Sequence, residues 1–157
     1  VLAPALLKGA KMDLVVEKAT EIGVARIAAV RSRHTIGAAH PERWQRIALA
    51  AAKQSGRTTV PIVDPPVALA DLVRQPWPGV RLIFWEGERN ARLATLPPKT
   101  DAAIVVVGPE GGLAKDEVED ARAQGFTPVG LAPRILRAET AAIVAVALCL
   151  HRWGDVG

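Results

Sequence analysis

The sequence predicts an α/β fold in which helices flank a mostly parallel β-sheet. Segments with helical spacing of apolar residues alternate along the chain with short apolar runs. Two of these runs, residues 80–85 and 102–107, are bounded by Gly, Pro and charged residues, as is typical of buried parallel strands. The length of 157 residues fits one domain, and the sequence contains no internal repeat or low-complexity segment. We therefore expect a single α/β domain.

The first part of the chain predicts two helices and one strand. Apolar residues at helical spacing from Met12 to Ile22 predict a helix that ends at Gly23. Residues 26–31 predict a short strand, because residues 27–30 are all apolar. A second helix is predicted to begin at Pro41, since proline suits the first turn of a helix.

The second part predicts three helices and three strands. In chain order these are a short helix at 67–74, strands at 80–85 and 102–107, a helix at 115–124, a strand at 128–132 and a helix at 137–152. Asp116 and Glu119 are expected to form a capping box for the 115–124 helix. The last segment is apolar nearly all round, which predicts a buried helix.

Composition excludes several classes of protein. Half of the residues are apolar and 23% are charged, a balance typical of soluble globular proteins and not of disordered or rod-like ones. The longest apolar run, residues 141–150, is too short to span a bilayer. Cys149 is the lone cysteine, which excludes a disulfide framework and favours a reducing, cytoplasmic location. The chain opens on Val1 without a signal segment, so we expect a fragment or a processed form.

Charge is distributed unevenly along the chain. Residues 1–57 hold ten Lys and Arg against four Asp and Glu, whereas residues 58–157 hold ten against twelve. Such a basic half is compatible with nucleic-acid binding, although a well-solvated surface explains it equally well. Aromatic residues make up only 4% of the chain and Tyr is absent, which argues against a base-stacking platform. The candidate RNA-facing residues are Arg26, Arg31, Arg33, Arg43, Arg46, Lys53 and Arg57.

Three loops that follow predicted strands are candidate ligand sites, since ligands of open α/β sheets bind at the carboxyl ends of strands. They span residues 86–90, 108–112 and 132–140. The second loop is rich in glycine, but Leu113 and Ala114 stand where a phosphate-binding loop has Lys and Ser or Thr. Its glycines do not match the dinucleotide pattern G-x-G-x-x-G either. Two interpretations of this loop remain. It is either a tight turn whose glycines let a ligand approach the main chain, or a plain strand-to-helix turn.

Five ordered motifs carry a resemblance to a known family. They are Val-Gly-Pro-Glu-Gly-Gly at 107–112, Arg-Ile-Leu-Arg-Ala-Glu-Thr-Ala at 134–141, Lys-Ala-Thr-Glu-Ile-Gly-Val at 18–24, Arg-Ser at 31–32 and Gln-Ser-Gly-Arg at 54–57. In these segments the chain closely resembles the ribosomal RNA small subunit methyltransferase E family of the SPOUT superfamily. That resemblance implies methylation of uridine N3 in 16S rRNA with S-adenosylmethionine (SAM) as the methyl donor.

The resemblance also implies an architecture. We expect one SPOUT methyltransferase domain over residues 1–157, with a C-terminal deep trefoil knot and a homodimer formed through the knot region. The N-terminal PUA-like domain of the family is absent from this chain, which puts autonomous RNA binding in doubt. Ala132 replaces the Gly that usually follows Leu131, and Ala114 stands where the family often has a helix-capping Ser.

A cofactor set and an RNA set follow from the resemblance and from the three loops. Glycines let the main chain close around SAM, and apolar residues supply walls and carbonyls for its adenine. The expected cofactor-binding residues are Glu86, Gly108, Pro109, Glu110, Gly111, Gly112, Leu131, Ile135, Leu136, Arg137, Thr140 and Ala141. The expected RNA-binding residues are Arg31, Arg33, Arg46, Lys53 and Arg57.

The candidate catalytic residues are Arg137, Glu139, Arg57 and Arg31. Uridine N3 must lose its imide proton, so a carboxylate that accepts it, or arginines that stabilise the anionic base, are required. Glu139 and Glu110 are the candidate acceptors. Each residue also has a structural explanation: Glu139 as a helix-dipole partner, Glu110 as a loop support, Arg137 as an ion-pair or phosphate partner and Arg57 as an RNA contact.

The three histidines, His34, His40 and His151, lack metal-ligand spacing, and methyl transfer indicates no metal. Two other functions compete with the methyltransferase. One is a knotted RNA-binding domain without turnover, and the other is an unrelated α/β enzyme that binds a nucleotide phosphate at the glycine loop. The missing Lys and Ser or Thr after that loop weaken the second.

Overall fold

The computed structural model describes residues 1–96, 98–131 and 134–157. These residues form eight strands, five α-helices and one 3-10 turn. In chain order they are β1 (Leu2–Pro4), α1 (Lys11–Ile22), β2 (Arg26–Ile27), β3 (Val30–Arg31), α2 (Pro41–Gln54), β4 (Ile62–Val63), β5 (Val67–Ala68), α3 (Leu69–Val73), β6 (Val80–Phe84), the 3-10 turn Leu93–Thr95, β7 (Ala103–Val107), α4 (Lys115–Ala123), β8 (Thr127–Val129) and α5 (Ala138–Trp153).

Six strands form one parallel sheet in the order β4-β2-β1-β7-β6-β8. A second, two-stranded parallel sheet joins β3 to β5. At the carboxyl end of β6, Phe84 is in register with both Val107 and Val129. The predicted α/β fold with a mostly parallel sheet is therefore confirmed.

The predicted strand at 26–31 is wrong as a single element. The backbone N–H of Ala28 donates to Leu2 O at 2.8 Å at the end of β2, and the N–H of Leu6 donates to Val30 O at 2.9 Å. The first part of the segment thus pairs with β1 in the main sheet. Val30 then pairs with Ala5, just after β1, and also with β5 in the small sheet. Residues 26–31 therefore form two strands, β2 and β3, because their hydrogen-bond partners change along the segment. An apolar run in the sequence does not reveal these partners.

Alternation along the central strands sends side chains to two buried layers. On one face, Leu82 and Val105 pack in a core with α1, α2 and α5. On the other face, Ile83 and Ile104 pack in a core with α3 and α4. Both faces of the sheet are therefore covered, as expected for an all-parallel sheet.

Helix α5 is buried on one face only, contrary to the expectation of burial all round. Ala142 and Ala145 are fully enclosed in the core, whereas Leu148 is 38% exposed. Ile143 and Val144 are half-buried. An apolar stripe of α5 therefore lies at the surface of the chain. Within the described residues, no helix combines the length and apolar character that crossing a bilayer requires.

The cap of α4 differs from the predicted pairing of Asp116 and Glu119. Glu117 accepts a hydrogen bond from the backbone N–H of Ala114, the residue that precedes the helix, at 3.0 Å. Because alanine has no side-chain acceptor, only this half of a capping box forms. Asp116 pairs with Arg33 instead, and Glu119 lies beside Arg122.

Candidate functional site

Three loops leave the same edge of the sheet because β6, β7 and β8 end in register. The N–H of Trp85 donates to Val129 O at 3.1 Å, which joins the start of the first loop to the end of β8. The 86–90 and 108–112 loops and the segment from residue 130 to α5 thus begin side by side. This is the edge at which α/β sheets bind ligands.

The glycine loop at 108–112 is a tight turn closed on itself. The N–H of Gly112 donates to Pro109 O at 2.9 Å, and Gly112 has φ +72°, a conformation that favours glycine. A Cβ at Gly112 would overlap with the carboxylate of Glu86, and a Cβ at Gly111 would lie 2.8 Å from the Cβ of His34. The loop therefore has no room for larger residues.

The loop after β6 is held by Glu88, a residue that the sequence interpretation did not single out. Its carboxylate accepts hydrogen bonds from the backbone N–H groups of Asn90 at 2.8 Å and Ala91 at 3.0 Å. These N–H donors, from Ala91 first, lower the pKa of Glu88. Gly130 donates to Ala91 O at 3.1 Å, and a Cβ there would overlap with the carbonyl of Glu88. Strand β8 thus emerges directly against this loop.

The third loop leads into α5. Leu131 and Leu136 are half-buried, whereas Ile135 is 87% exposed. Arg137 is exposed and immediately precedes α5, and its carbonyl accepts the N–H of Ala141 at 2.8 Å. Thr140 is exposed and Ala141 is half-buried in the first turn. Ala132, where the family usually has Gly, and Pro133 lie outside the described residues.

Lys11 connects the glycine loop to the first turn of α5. Its Nζ lies 3.0 Å from Glu110 Oε1 and 3.7 Å from Glu139 Oε2. Glu139 is only 9% exposed, and within the described part of the chain its Oε2 has no hydrogen-bond partner. A buried carboxylate oxygen with one nearby cation and no donor is costly to maintain, which marks it as a candidate functional group.

Glu110 is bound more tightly than Glu139. Its Oε1 accepts a hydrogen bond from the backbone N–H of Lys8 at 3.2 Å as well as one from Lys11 at 3.0 Å. Partial burial raises the pKa of Glu110, but hydrogen bonds from its own backbone, from Lys11 and from Lys8 outweigh burial and lower it overall. Glu110 therefore supports the loop as an ionised group.

The segment after β3 packs on the glycine loop and on the start of α4. His34 Nδ1 lies 3.2 Å from Gly112 O, and the backbone N–H of Arg33 donates to Glu117 at 2.8 Å. The Arg33 guanidinium pairs with Asp116. Arg31 donates to Pro66 O at 3.0 Å and is otherwise exposed. Among the described residues no group of three metal-ligating side chains forms, around His34 or elsewhere.

Arg57 does not join this site. Its guanidinium donates to Thr20 O at 2.7 Å and Val24 O at 3.0 Å and lies 3.4 Å from Gly23 O, so it caps the carboxyl end of α1. The turn after α1 leads into the amino end of β2, which places Arg57 at the sheet edge opposite the loops. The end of a helix exposes carbonyls that a guanidinium satisfies well.

The other RNA candidates are also dispersed. Lys53 lies in the last turn of α2, towards Arg57, whereas Arg46 lines an open groove on the outer face of α2 with Leu49 and Val60. Only Arg31 and Arg33 follow β3 towards the edge that carries the loops. Arg26 and Arg43 have ion-pair partners away from the glycine loop, Asp64 at 2.6 Å and Asp13 at 2.5 Å.

Comparison with known proteins gives consistent matches over most of the chain. The family model described as RNA methyltransferase domain matches residues 1–150. The chain is 35% identical over 96% of its length to ribosomal RNA small subunit methyltransferase E of Mesomycoplasma hyopneumoniae, and 36% identical over 89% to that of Aquifex aeolicus. It spans 68% and 62% of the length of these two relatives.

A solved structure shows the same similarity in three dimensions. The structure of ribosomal RNA small subunit methyltransferase E from Neisseria gonorrhoeae, bound to S-adenosyl methionine, superposes with a TM-score of 0.91 at 35% identity. The match covers 97% of this chain and 65% of the gonococcal one. The similarity therefore extends over the sheet and the helices that position the three loops.

Proposed function

This chain belongs to the RNA methyltransferase domain family, among the ribosomal RNA small subunit methyltransferase E proteins, and we propose that it methylates uridine N3 of 16S rRNA with SAM. The observation that carries the proposal is the convergence of three loops at one sheet edge, here called the cradle, close to a buried carboxylate oxygen of Glu139 that has no hydrogen-bond donor among the described residues. The domain is one SPOUT unit over residues 1–157, and the activity is a cytoplasmic one.

The residues at this edge fit SAM. A Cβ at Gly112 would meet the carboxylate of Glu86 and a Cβ at Gly130 would meet the backbone carbonyl of Glu88, so glycine allows the loops to pack closely at this edge. The backbone of Gly108, Pro109, Glu110, Gly111 and Gly112 forms one wall of the cradle. Glu86 lies against that wall, and Leu131, Ile135, Leu136, Arg137, Thr140 and Ala141 form the other wall up to α5. When bound, SAM supplies the methyl group, which leaves sulfur as the N3 lone pair bonds to it.

Glu139 is the proposed acceptor of the N3 proton. Glu139 is buried, and its Oε2 accepts no hydrogen bond from the described residues. Glu110 Oε1, in contrast, already accepts two hydrogen bonds, from the backbone N–H of Lys8 and from Lys11 Nζ. The lowered pKa of Glu110 makes that carboxylate a weaker base than an ordinary glutamate. Breaking the N3–H bond delivers the proton to Glu139 and leaves the electron pair on N3 for attack on the methyl carbon.

Arginines at the loop edge complete the proposed site. Arg137 precedes α5 two residues before Glu139, and it is exposed to an incoming base. A guanidinium at this position stabilises the negative charge that develops on the uracil oxygens as N3 loses its proton. Arg31 and Arg33 lie on the segment beside the glycine loop, where they contact phosphates of the rRNA.

The role of Arg57 is reassigned to capping of α1, since its guanidinium donates to the carbonyls of Thr20, in the last turn of that helix, and of Val24 just after it. Lys53 and Arg46 form a separate positive area along α2, which binds rRNA phosphates outside the reacting nucleotide. Together with Arg31 and Arg33, this gives one contact area at the site and one remote from it.

A C-terminal trefoil knot is part of the proposal. The segment that leaves β8 contacts the loop between β6 and β7 at one point, where Gly130 donates to Ala91 O at 3.1 Å. The end of α5 contacts the same loop further on, where Arg152 donates to Leu96 O at 2.6 Å. The chain thus contacts the β6–β7 loop both before α5, at Gly130, and near the end of α5, at Arg152. These two contacts support a path in which α5 passes through that loop.

A homodimer through the knot region is also proposed. The surface stripe of α5, with Ile143, Val144 and Leu148, is apolar, and the neighbouring helix α1 exposes Leu14. Burial of such a stripe against a second copy removes apolar surface from water and stabilises a dimer.

Transfer of labelled methyl groups from SAM to small-subunit rRNA tests the proposed activity. Calorimetric titration of SAM into the same preparation, with ATP–magnesium as a control, measures binding independently of turnover. We expect one SAM site per chain, no response to ATP and label in the rRNA. SAM binding and rRNA binding without label transfer would instead support an RNA-binding domain without turnover.

A further inference from the structure

The Arg33 side chain is held by a carboxylate of another element, beside the glycine loop. Its Nη1 donates to Asp116 Oδ1 at 2.9 Å, and its Nη2 pairs with Oδ2 of the same carboxylate. Both terminal nitrogens of the guanidinium thus donate to one carboxylate. The pair lies at the surface, with 56% of the Arg33 side chain and 60% of the Asp116 side chain exposed.

The backbone of the segment after β3 is fixed separately from the Arg33 side chain. The N–H of Arg33 donates to Glu117 Oε1 at 2.8 Å. The segment also forms a closed turn, since the N–H of Thr35 donates to Ser32 O at 3.1 Å. The guanidinium can therefore leave Asp116 while the main chain of the segment stays in place.

This segment lies against the loop that is proposed to bind SAM. His34 Nδ1 is 3.2 Å from Gly112 O, and Asp116 lies in the first turn of α4, which follows the loop. In the proposed function, Arg33 contacts a phosphate of the rRNA at this place. A guanidinium fork binds two oxygens of a phosphate in the same way as it binds two oxygens of a carboxylate. Asp116 therefore occupies the position on Arg33 that suits a phosphate.

We infer that Asp116 is an internal competitor for the rRNA phosphate at Arg33: an incoming phosphate must displace the Asp116 carboxylate from the guanidinium. The inference rests on the proposed function, which places Arg33 against the rRNA. It adds a residue that determines the affinity of this contact without touching SAM or the reacting uridine.

The size of the effect follows from the exposure of the pair. Exposed ion pairs contribute little to stability and are screened by salt, so their exchange for another anion is cheap. The contact with a phosphate gains in addition from the release of counterions that surround the RNA. Loss of the Asp116 charge is therefore expected to strengthen rRNA binding several-fold and not by orders of magnitude.

Glu119 provides a matched control on the same helix. Its Oε2 lies 3.7 Å from Arg122 Nη1, and the two side chains are 47% and 50% exposed. Glu119→Gln therefore removes one negative charge and releases one arginine, as Asp116→Asn does. The pair of Glu119 and Arg122 lies within α4 and does not include the segment after β3.

The experiment is a double-mutant cycle of Asp116→Asn and Arg33→Met, with Glu119→Gln introduced into the parent chain and into Arg33→Met. Affinity for labelled small-subunit rRNA is measured by filter binding at several salt concentrations. Transfer of methyl groups from SAM to the same rRNA is measured for each preparation, and thermal unfolding confirms that each variant is folded.

We expect Asp116→Asn to raise the rRNA affinity of the parent chain about three- to fivefold, and Glu119→Gln to raise it by less than about twofold. In the Arg33→Met chain the two substitutions are expected to have equal effects, because no guanidinium remains to be released. Arg33→Met alone is expected to weaken binding and to reduce the slope of log affinity against log salt by about 0.7–0.9, the value for one phosphate contact.

Equal effects of Asp116→Asn and Glu119→Gln in the parent chain would overturn the inference, as would the same gain from Asp116→Asn with and without Arg33. A parent chain and an Asp116→Asn variant that bind no rRNA would overturn it as well. A parent chain that shows the expected cycle without transferring methyl groups would contradict the proposed methylation and leave the inference standing.

Discussion

At the scale of single residues, the cradle contains glycines at which a Cβ would overlap with neighbouring atoms. Gly112 combines φ +72° with a direct approach of the Glu86 carboxylate, and Gly56, at the end of α2, has the same φ with open space around it. Substitution at either position strains the backbone, but only substitution at Gly112 also places a side chain against the site. Comparing the two variants therefore distinguishes the effect of strain from the effect of obstruction. Both are expected to lose about 1–2 kcal/mol on substitution by alanine, the usual cost of a left-handed conformation.

Gly112→Ala is expected to weaken SAM binding by at least about tenfold, because the new methyl group displaces Glu86 into the cradle, while Gly56→Ala leaves SAM affinity unchanged. Calorimetric titration at one temperature, with thermal unfolding to confirm equal destabilisation, provides the comparison. Equal SAM affinities in the two variants would show that the ligand does not use this wall.

Glu110 gives the site a dependence on pH. Its lowered folded-state pKa means that its contribution to stability is present above the ordinary carboxyl value of 4.5 and is lost as pH falls through the folded-state pKa. Glu110→Gln is therefore expected to lower the Tm at pH 7, and the difference from the parent is expected to shrink below pH 4.5. Thermal unfolding between pH 3 and pH 7 measures this, with Glu119→Gln as a surface control. A difference that is constant over this range would contradict the assignment.

At the scale of elements, the ends of α1 have separate tasks. Its first residue, Lys11, borders the proposed site, and its last carbonyls are capped by Arg57 from the turn after α2. Arg57 thereby ties α2 to the carboxyl end of α1 at the edge away from the loops. The positive charge of Arg57 therefore serves the cap of α1.

Arg57→Met is expected to lower the free energy of unfolding by about 1–3 kcal/mol, since two carbonyls lose a charged donor. SAM affinity and the single-turnover rate of the folded variant are expected to match those of the parent. Chemical denaturation of Arg57→Met and of Arg46→Met, which lies on the outer face of α2, measures the stability difference. A loss of rate in a fully folded Arg57→Met variant would restore Arg57 to the catalytic group.

The elements also show how far the sequence predicts the fold. The boundaries of α1, α4 and α5 and the start of α2 agree with the predicted helices to within one residue, because a Gly or Pro stands at an end of each. The strands β1, β4 and β5 were not predicted. They have two or three residues each, which is too short for a period-two pattern, and their pairing depends on distant partners.

The same reason explains what the sequence missed at the site. The glycine loop is predicted from the sequence, since it directly follows the clear apolar run at 102–107. Lys8 and Lys11 were not, because without β1 nothing indicates that they follow a strand of the same sheet. Glu88 and Glu117 act through backbone N–H groups of their own loops, and a sequence does not reveal which carboxylate turns back on its chain.

At the scale of the whole molecule, the apolar stripe of α5 and the exposed Leu14 of α1 form the surface that the proposed dimer covers. Leu148 is 38% exposed and Leu14 is 40% exposed, whereas Leu49, on the outer face of α2, is 42% exposed. The three leucines have similar exposure, and the proposed dimer buries only the first two. This difference makes them a controlled test of the interface.

Leu148→Glu is expected to convert a dimer to a monomer, because a charge is buried at the interface without a partner. Leu49→Glu is expected to leave the dimer intact. Sedimentation equilibrium of the two variants at several concentrations gives the result. Dissociation by both variants, or by neither, would contradict an interface on the α5 side.

The identity of the methylated atom shows whether the chain modifies uridine N3, as we propose. Small-subunit rRNA treated with the chain and SAM is digested to nucleosides, and the products are separated and identified by mass spectrometry. We expect 3-methyluridine, formed in the presence of the chain and lost in Glu139→Gln. A methyl group on uracil C5, on a ribose 2′ oxygen or on another base would contradict the account, because none of these requires the removal of an imide proton by a buried carboxylate.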